Sequence, residues 1–120
     1  MEEKKELDEK IHVLEEKEKT IDSSIMTNIN NVKILDNIQM EIKKLNKKME
    51  YFLDTYSKAM DGPSVKANKE NLYTTSSIVS KRYNERITDK IDSSLKAIKE
   101  LRSQKETLSK EKESLLDDNK

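Results

Sequence analysis

Met60-Asp61-Gly62-Pro63-Ser64 contains the single glycine and the single proline of this 120-residue chain. Gly and Pro are the residues that most often end regular elements, and here they stand side by side at the middle of the sequence. A fold of several strands would need several turns, so one break predicts two long helices and one turn. In this interpretation Gly62 closes the first helix, Pro63 cannot continue it and suits a helix start, and Ser64 is a plausible cap of the second helix.

Apolar residues before the turn recur in alternating steps of four and three, the spacing of one helical face. The first block is Leu7, Ile11, Leu14, Ile21 and Ile25, with Glu18 as the polar exception. The second block is Ile38, Ile42, Leu45, Met49, Phe52 and Tyr56. Between them, Ile29, Val32, Ile34 and Leu35 carry the stripe onward but shift its phase. The pattern predicts helix 1 over about residues 3–60, followed by a turn at 61–64.

In the second half of the sequence, the helix signal is weak at the beginning and strong toward the end. Residues 65–77 are rich in Asn, Thr and Ser, which weaken helices, so a start at Ser64 and a start near Thr75 both stay open. Further on, residues four apart form a stripe: Val79, Tyr83, Ile87, Ile91 and Leu95. A heptad follows at Ile98, Leu101, Leu108 and Leu115, with Lys105 and Lys112 at the intervening core-type positions. We predict helix 2 over about residues 65–116.

Two helices joined by a short turn lie antiparallel, so residues 7–14 should lie near residues 108–115. We therefore predict one all-α, coiled-coil-like hairpin domain over residues 1–120. Burying a Leu or Ile contributes roughly 1.5–3 kcal/mol, and ordering a residue costs a similar amount. A lone two-helix contact is thus marginal, and the apolar stripe in the middle is wider than one neighbouring helix needs. We expect this hairpin to complete a larger helical bundle with a partner.

Composition and motifs disfavour catalysis and nucleic-acid binding. Charged residues make up 40% of the chain, but the net charge is zero and the acidic residues alternate with lysines, as on a solvated helix face. A zinc site cannot be built from the single histidine, His12, in a chain without Cys. We therefore expect no cofactor. The basic cluster Lys43, Lys44, Lys47 and Lys48 is read as a solvated flank that could face an acidic partner. No apolar run is long enough for a membrane span, and no conventional signal peptide begins the chain.

A Cys-free chain rich in Lys, Glu and Asn, with a Gly-containing turn between two helices, resembles the small partner proteins of Gram-positive type VII secretion. These include WXG-type proteins and LXG-associated α-helical proteins, and the stretch from Glu85 to Leu116 resembles the charged tail of the latter. The turn lacks the Trp of a W-x-G motif. No aromatic residue is followed four positions later by Asp or Glu, so the family's export signal is missing. The resemblance implies binding to a helical segment of an effector, with a second small helical protein supplying that signal.

We therefore expect a cytoplasmic adaptor or chaperone-like targeting factor, or one exported together with its partner. The residues predicted to bind the partner are Ile38, Ile42, Leu45, Met49, Phe52, Tyr56, Val79, Tyr83, Ile87 and Ile91. A self-assembling structural coiled coil, such as a homodimer, is the first alternative. A prefoldin-like holdase, which requires β-hairpins between its helices, is the second. Nucleic-acid binding through the lysine cluster is the third.

Overall fold

The computed structural model describes residues 2–60 and 62–118. Two helices account for nearly all of them: α1 spans Glu2–Ala59 and α2 spans Pro63–Asp117. The predicted all-α hairpin is confirmed. Residues 2–60 and 62–118 contain no strand, and therefore none of the β-hairpins of a prefoldin-like fold. Over the same residues, neither helix is long and apolar enough at any point to cross a membrane.

The turn is tight, and α2 begins at the proline. The Met60 amide still donates to the Tyr56 carbonyl at 2.9 Å, and the Gly62 carbonyl already accepts from the Lys66 amide at 3.2 Å. Gly62 has a φ of +154°, which residues with a Cβ rarely adopt. A proline in the first helical position has its φ pre-set and lacks only an amide that would be unpaired there. The predicted cap at Ser64 is therefore wrong, because Gly62 precedes the first helical residue. Asp61 lies outside the described residues.

The chain divides into two compact units, which we call the terminal unit and the turn unit. The terminal unit combines Met1–Val32 with Ser93–Lys120, and the turn unit is Lys33–Asp92. Each contains a segment of α1 packed against an antiparallel segment of α2. We call the row of inward-facing positions along each helix the seam.

The seam of the terminal unit follows the heptad read from the sequence. Leu14 and Ile25 of α1 and Ile98 of α2 are buried, and Leu7, Ile11, Leu101, Leu108 and Leu115 are half-buried. The ion pair between the Lys112 Nζ and the Glu15 Oε1, at 3.1 Å, joins the two helices. The first turns of α1 thus lie beside the last turns of α2.

In the turn unit the seam differs from the predicted stripe. Leu53, only 2% exposed, and Ile87 are the buried residues. Counting from Leu7, steps of four and three run without interruption through Ile25, Asn28, Val32, Leu35, Gln39, Ile42, Asn46, Met49 and Leu53. The predicted phase shift is therefore wrong, because the inward positions of α1 keep one heptad. They accept half-buried polar residues at Asn28 in the terminal unit and at Gln39 and Asn46 in the turn unit.

Candidate partner-binding face

The ten residues predicted to bind a partner all belong to the turn unit, but only some of them face outward. Ile87 is buried and Ile42, Tyr56 and Ile91 are half-buried. The other six are exposed: Ile38, Leu45, Met49, Phe52, Val79 and Tyr83. Leu45 and Phe52 are the most open of these, at 61% and 65% exposure. Most of the predicted stripe is thus left uncovered by the hairpin.

The exposed residues of α1 share one flank of the seam. Ile38, Leu45 and Phe52 are seven residues apart, and each precedes a seam position: Gln39, Asn46 and Leu53 respectively. Residues at this spacing lie in a line along one side of a helix that keeps a heptad seam. Met49, a seam position that is nevertheless 44% exposed, lies beside this row between Leu45 and Phe52. The Phe52 ring stacks on Tyr56 with ring centroids 6.4 Å apart.

Residues of α2 extend this flank. Leu72 and Val79 are seven apart and each precedes a half-buried seam residue, Tyr73 and Ser80. In an antiparallel pair the positions that precede the first core residue of each heptad come together on the same side. Tyr83 lies one turn beyond Val79. We call the resulting surface the apolar face: Ile38, Leu45, Met49, Phe52, Leu72, Val79 and Tyr83.

Sequence reasoning missed Leu72 as a face residue and Leu53 as a core residue. Leu72 falls in the Asn- and Thr-rich stretch where the helix signal is weak, yet its distance of seven from Val79 would have found it. Leu53 follows Asn46 by seven residues, so a heptad that tolerates Asn would have found it too. For Leu53 the missing step was to accept polar residues at seam positions.

The opposite flank of the turn unit is polar and connects the two helices. The Gln39 amide donates to the Thr88 hydroxyl at 3.2 Å. In the seam itself, the Ser80 hydroxyl donates to the Asn46 Oδ1 at 2.8 Å. These bonds fix which residues of the two helices lie opposite each other, since a shifted register would leave half-buried polar groups without partners.

Nearer the turn, Tyr73, Lys69 and Asp54 form a second polar cluster between the helices. The Tyr73 hydroxyl lies 3.1 Å from the Asp54 Oδ1 and 3.3 Å from the Glu50 carbonyl oxygen. The Lys69 Nζ lies 2.9 Å from the same Asp54 oxygen and 5.7 Å from the centre of the Tyr73 ring.

These contacts shift the ionisation of all three groups. Hydrogen bonds from Lys69 and Tyr73 hold the pKa of Asp54 below its usual value. The bond to Asp54 raises the pKa of Lys69, and desolvation with the same bond raises that of Tyr73. The cluster therefore favours the charged carboxylate, the charged ammonium and the neutral phenol. In these states Asp54 of α1 binds Lys69 and Tyr73 of α2 at neutral pH.

The terminal unit carries polar contacts on its own flank. The Lys105 Nζ lies 2.7 Å from the Asp22 Oδ1, and the Ser109 hydroxyl lies 3.5 Å from the Glu18 Oε1. Lys105 and Lys112, which occupy seam positions, thus turn their ammonium groups toward acidic residues of α1. This is how the terminal unit accommodates charged residues in its heptad.

The other flank of the terminal unit is an open groove. One stretch of it, about 690 Å³, is lined by residues including Val13, Ile21 and Leu108. His12 and Lys17 lie on the wall of this stretch, and His12 is exposed. Within the described residues, no three His, Cys, Asp or Glu side chains converge in a way that could hold a metal ion. The groove offers fewer exposed large side chains than the apolar face.

The charges of the two units differ in sign. The turn unit has 12 Lys and Arg against 9 Asp and Glu, a net charge of +3. The terminal unit has 12 against 15, a net charge of −3. The zero net charge of the whole sequence hides this difference. The apolar face therefore belongs to the basic unit.

Comparisons with family models, with curated proteins and with solved structures gave no match.

Proposed function

We propose that this chain is a protein-binding adaptor whose apolar face packs against a helix of a partner to complete a helical bundle. The observation that carries the proposal is the exposure of Leu45 and Phe52 beside a seam made partly of Asn and Gln. Soluble monomers rarely leave a contiguous row of large apolar side chains in water, and such rows commonly mark interaction sites.

Because the two flanks of the turn unit differ, we expect a partner helix on the apolar face only, and not helices packed on both flanks. The polar flank, with Thr88 and Asp54, gains little from being covered, because these groups already bond partners within the hairpin. The apolar face gains about 1 kcal/mol for each half-exposed Leu or Phe that a partner covers. An amphipathic helix lying in such a groove is a common mode of recognition.

We further propose that the partner is a helical segment of a type VII secretion effector, which the adaptor keeps soluble and helps to export. The support is the resemblance of the sequence to small helical partner proteins of that system. The absence of an aromatic-to-acidic export signal favours a complex in which a second small helical protein provides it. An assembly of this kind would bury the apolar face.

Light scattering on the purified chain, alone and mixed with the products of neighbouring genes, tests the proposal. Alone, the chain should have the mass of a monomer, 14.0 kDa. With its partner it should form a complex of defined mass. Monomeric mass beside every candidate would contradict the proposal, and a tight homodimer that ignores all candidates would favour the self-assembling alternative.

Matched variants show whether the apolar face mediates the binding. Leu45→Ser with Phe52→Ser should abolish the complex while leaving the helix content unchanged, because both side chains are exposed in the hairpin. Met40→Ser with Tyr51→Ser is the control, since these residues are 58% and 75% exposed but lie away from the face. Equal loss of binding in the two double variants would contradict the assignment of the face.

A further inference from the structure

We infer that the occupant of the apolar face is an amphipathic helix whose apolar stripe is flanked by Asp and Glu. This inference rests on the proposed function and adds the chemistry of the partner. It is carried by the charges that border the face.

Basic residues border the face on both helices. On α1, Lys48 lies three residues after Leu45 and four before Phe52, so it is a helical neighbour of both. On α2, Arg82 and Arg86 follow Val79 and Tyr83 by three residues each. The two arginines line a shallow cavity of about 230 Å³ together with these apolar residues.

These three cations are not ion-paired with another described residue of the chain. Glu41 also borders the face, but its Oε1 lies 3.4 Å from the Lys44 Nζ, which offsets its charge. The border of the apolar face is therefore positive. Arginines beside an apolar groove are suited to carboxylates, because their planar fork can bind both oxygens.

The same border disfavours a second copy of this face as the occupant. In a symmetric dimer the same patch meets itself, so Lys48, Arg82 and Arg86 of one copy would meet those of the other. Like charges placed together in an interface oppose binding. A partner helix with acidic flanks avoids this repulsion and neutralises the border.

Fluorescence anisotropy with two labelled synthetic helices tests the inference on the full chain. Both peptides have the same leucine stripe, with Glu at every flanking position in one and Lys in the other. The Glu peptide should bind at least about tenfold more tightly than the Lys peptide at low salt. The difference should shrink as salt is added, because exposed charges are screened.

Charge reversal on the two sides of the turn unit provides the matched comparison. Arg82→Glu with Arg86→Glu should weaken binding of the Glu peptide at least about tenfold and strengthen binding of the Lys peptide. Lys43→Glu with Lys81→Glu changes the net charge equally, but these lysines directly follow the half-buried residues Ile42 and Ser80 and so lie on the polar flank. This comparison is made at physiological salt, where screening acts over about 8 Å, so the control should stay within about threefold of the original affinity.

The outcomes separate this inference from the proposed function. Equal binding of both peptides, or tighter binding of the Lys peptide, would overturn the acidic partner and leave a helix-binding face in place. Binding of neither peptide by a chain that does bind a neighbouring gene product would also overturn it alone. A homodimer that excludes both peptides would overturn the inference and the proposed function together.

Discussion

Truncating either Leu53 or Leu45 to alanine distinguishes a residue in the core of the hairpin from one on its exposed face by the loss of stability that each substitution causes. The two leucines lie on the same helix, eight residues apart, but Leu53 is 2% exposed and Leu45 is 61% exposed. Leu53→Ala removes a buried side chain, which costs about 2–5 kcal/mol including the cavity that it leaves. A two-helix contact can relax around the gap, so we expect the lower end, about 2–3 kcal/mol. Leu45→Ala should cost less than about 1 kcal/mol, because more than half of the side chain is already in water.

Urea denaturation followed by far-ultraviolet circular dichroism measures both variants. The change to alanine alters helix propensity equally at the two sites, so the difference in unfolding free energy reports burial. The dependence on urea concentration should be the same in both, which shows that the unfolded states are comparable. An equal loss for the two variants, or a larger loss for Leu45→Ala, would mean that the seam runs through Leu45 and would refute the register.

Replacing the seam pair by Asn46→Leu with Ser80→Ala should raise the free energy of unfolding by about 1 kcal/mol, because both hydrogen-bonding partners are removed together; a clear loss in urea denaturation would argue against a seam position. Lys105→Met should raise it by about 0.5 kcal/mol, since an exposed pair with Asp22 contributes only about 0–1 kcal/mol and a half-buried seam favours an apolar side chain. A loss above about 1 kcal/mol would show that this ion pair stabilises the hairpin more strongly than exposed pairs do. Asp54→Asn should lower the melting temperature at neutral pH but not in acid. The pKa of Asp54 is lowered in the folded chain, so its stabilising effect is present above the pKa of an unfolded aspartate and disappears as the pH falls through the lower, folded value. Equal effects of this substitution at both pH values would contradict the claim that charged Asp54 stabilises the hairpin.

The sequence was sufficient to predict the fold class and the seam of the terminal unit. One Gly-Pro step at the midpoint allows a single turn, and the alternation of four and three before Ile25 agrees with the heptad after Ile98. In this unit the apolar residues and the inward positions largely coincide. Ile98, Leu101 and Leu108 were therefore correctly placed from their spacing alone.

In the turn unit, the apolar residues are not always the ones that point inward. Asn46 and Gln39 point inward while Leu45 and Ile38 lie beside them on the exposed flank. A search for apolar periodicity follows the second pair and reports a phase shift that the helix does not make. The pattern combines residues that pack within the hairpin with residues that stay exposed, and one sequence cannot separate these two sets. The start of α2 cannot be read from the sequence for a different reason: Asn and Thr lower helix propensity, but packing against α1 outweighs this effect.

Labelling of single cysteines tests most directly whether the apolar face is open in the chain and covered by a partner. The chain has no cysteine of its own, so Leu45→Cys, Leu53→Cys and Met40→Cys each introduce one unique thiol. In the isolated chain, the thiols at positions 45 and 40 should react at similar rates and the thiol at position 53 much more slowly. When the binding partner found by light scattering is added, only position 45 should become protected. Protection at position 45 already in the isolated chain, or continued reactivity there in the complex, would contradict the account.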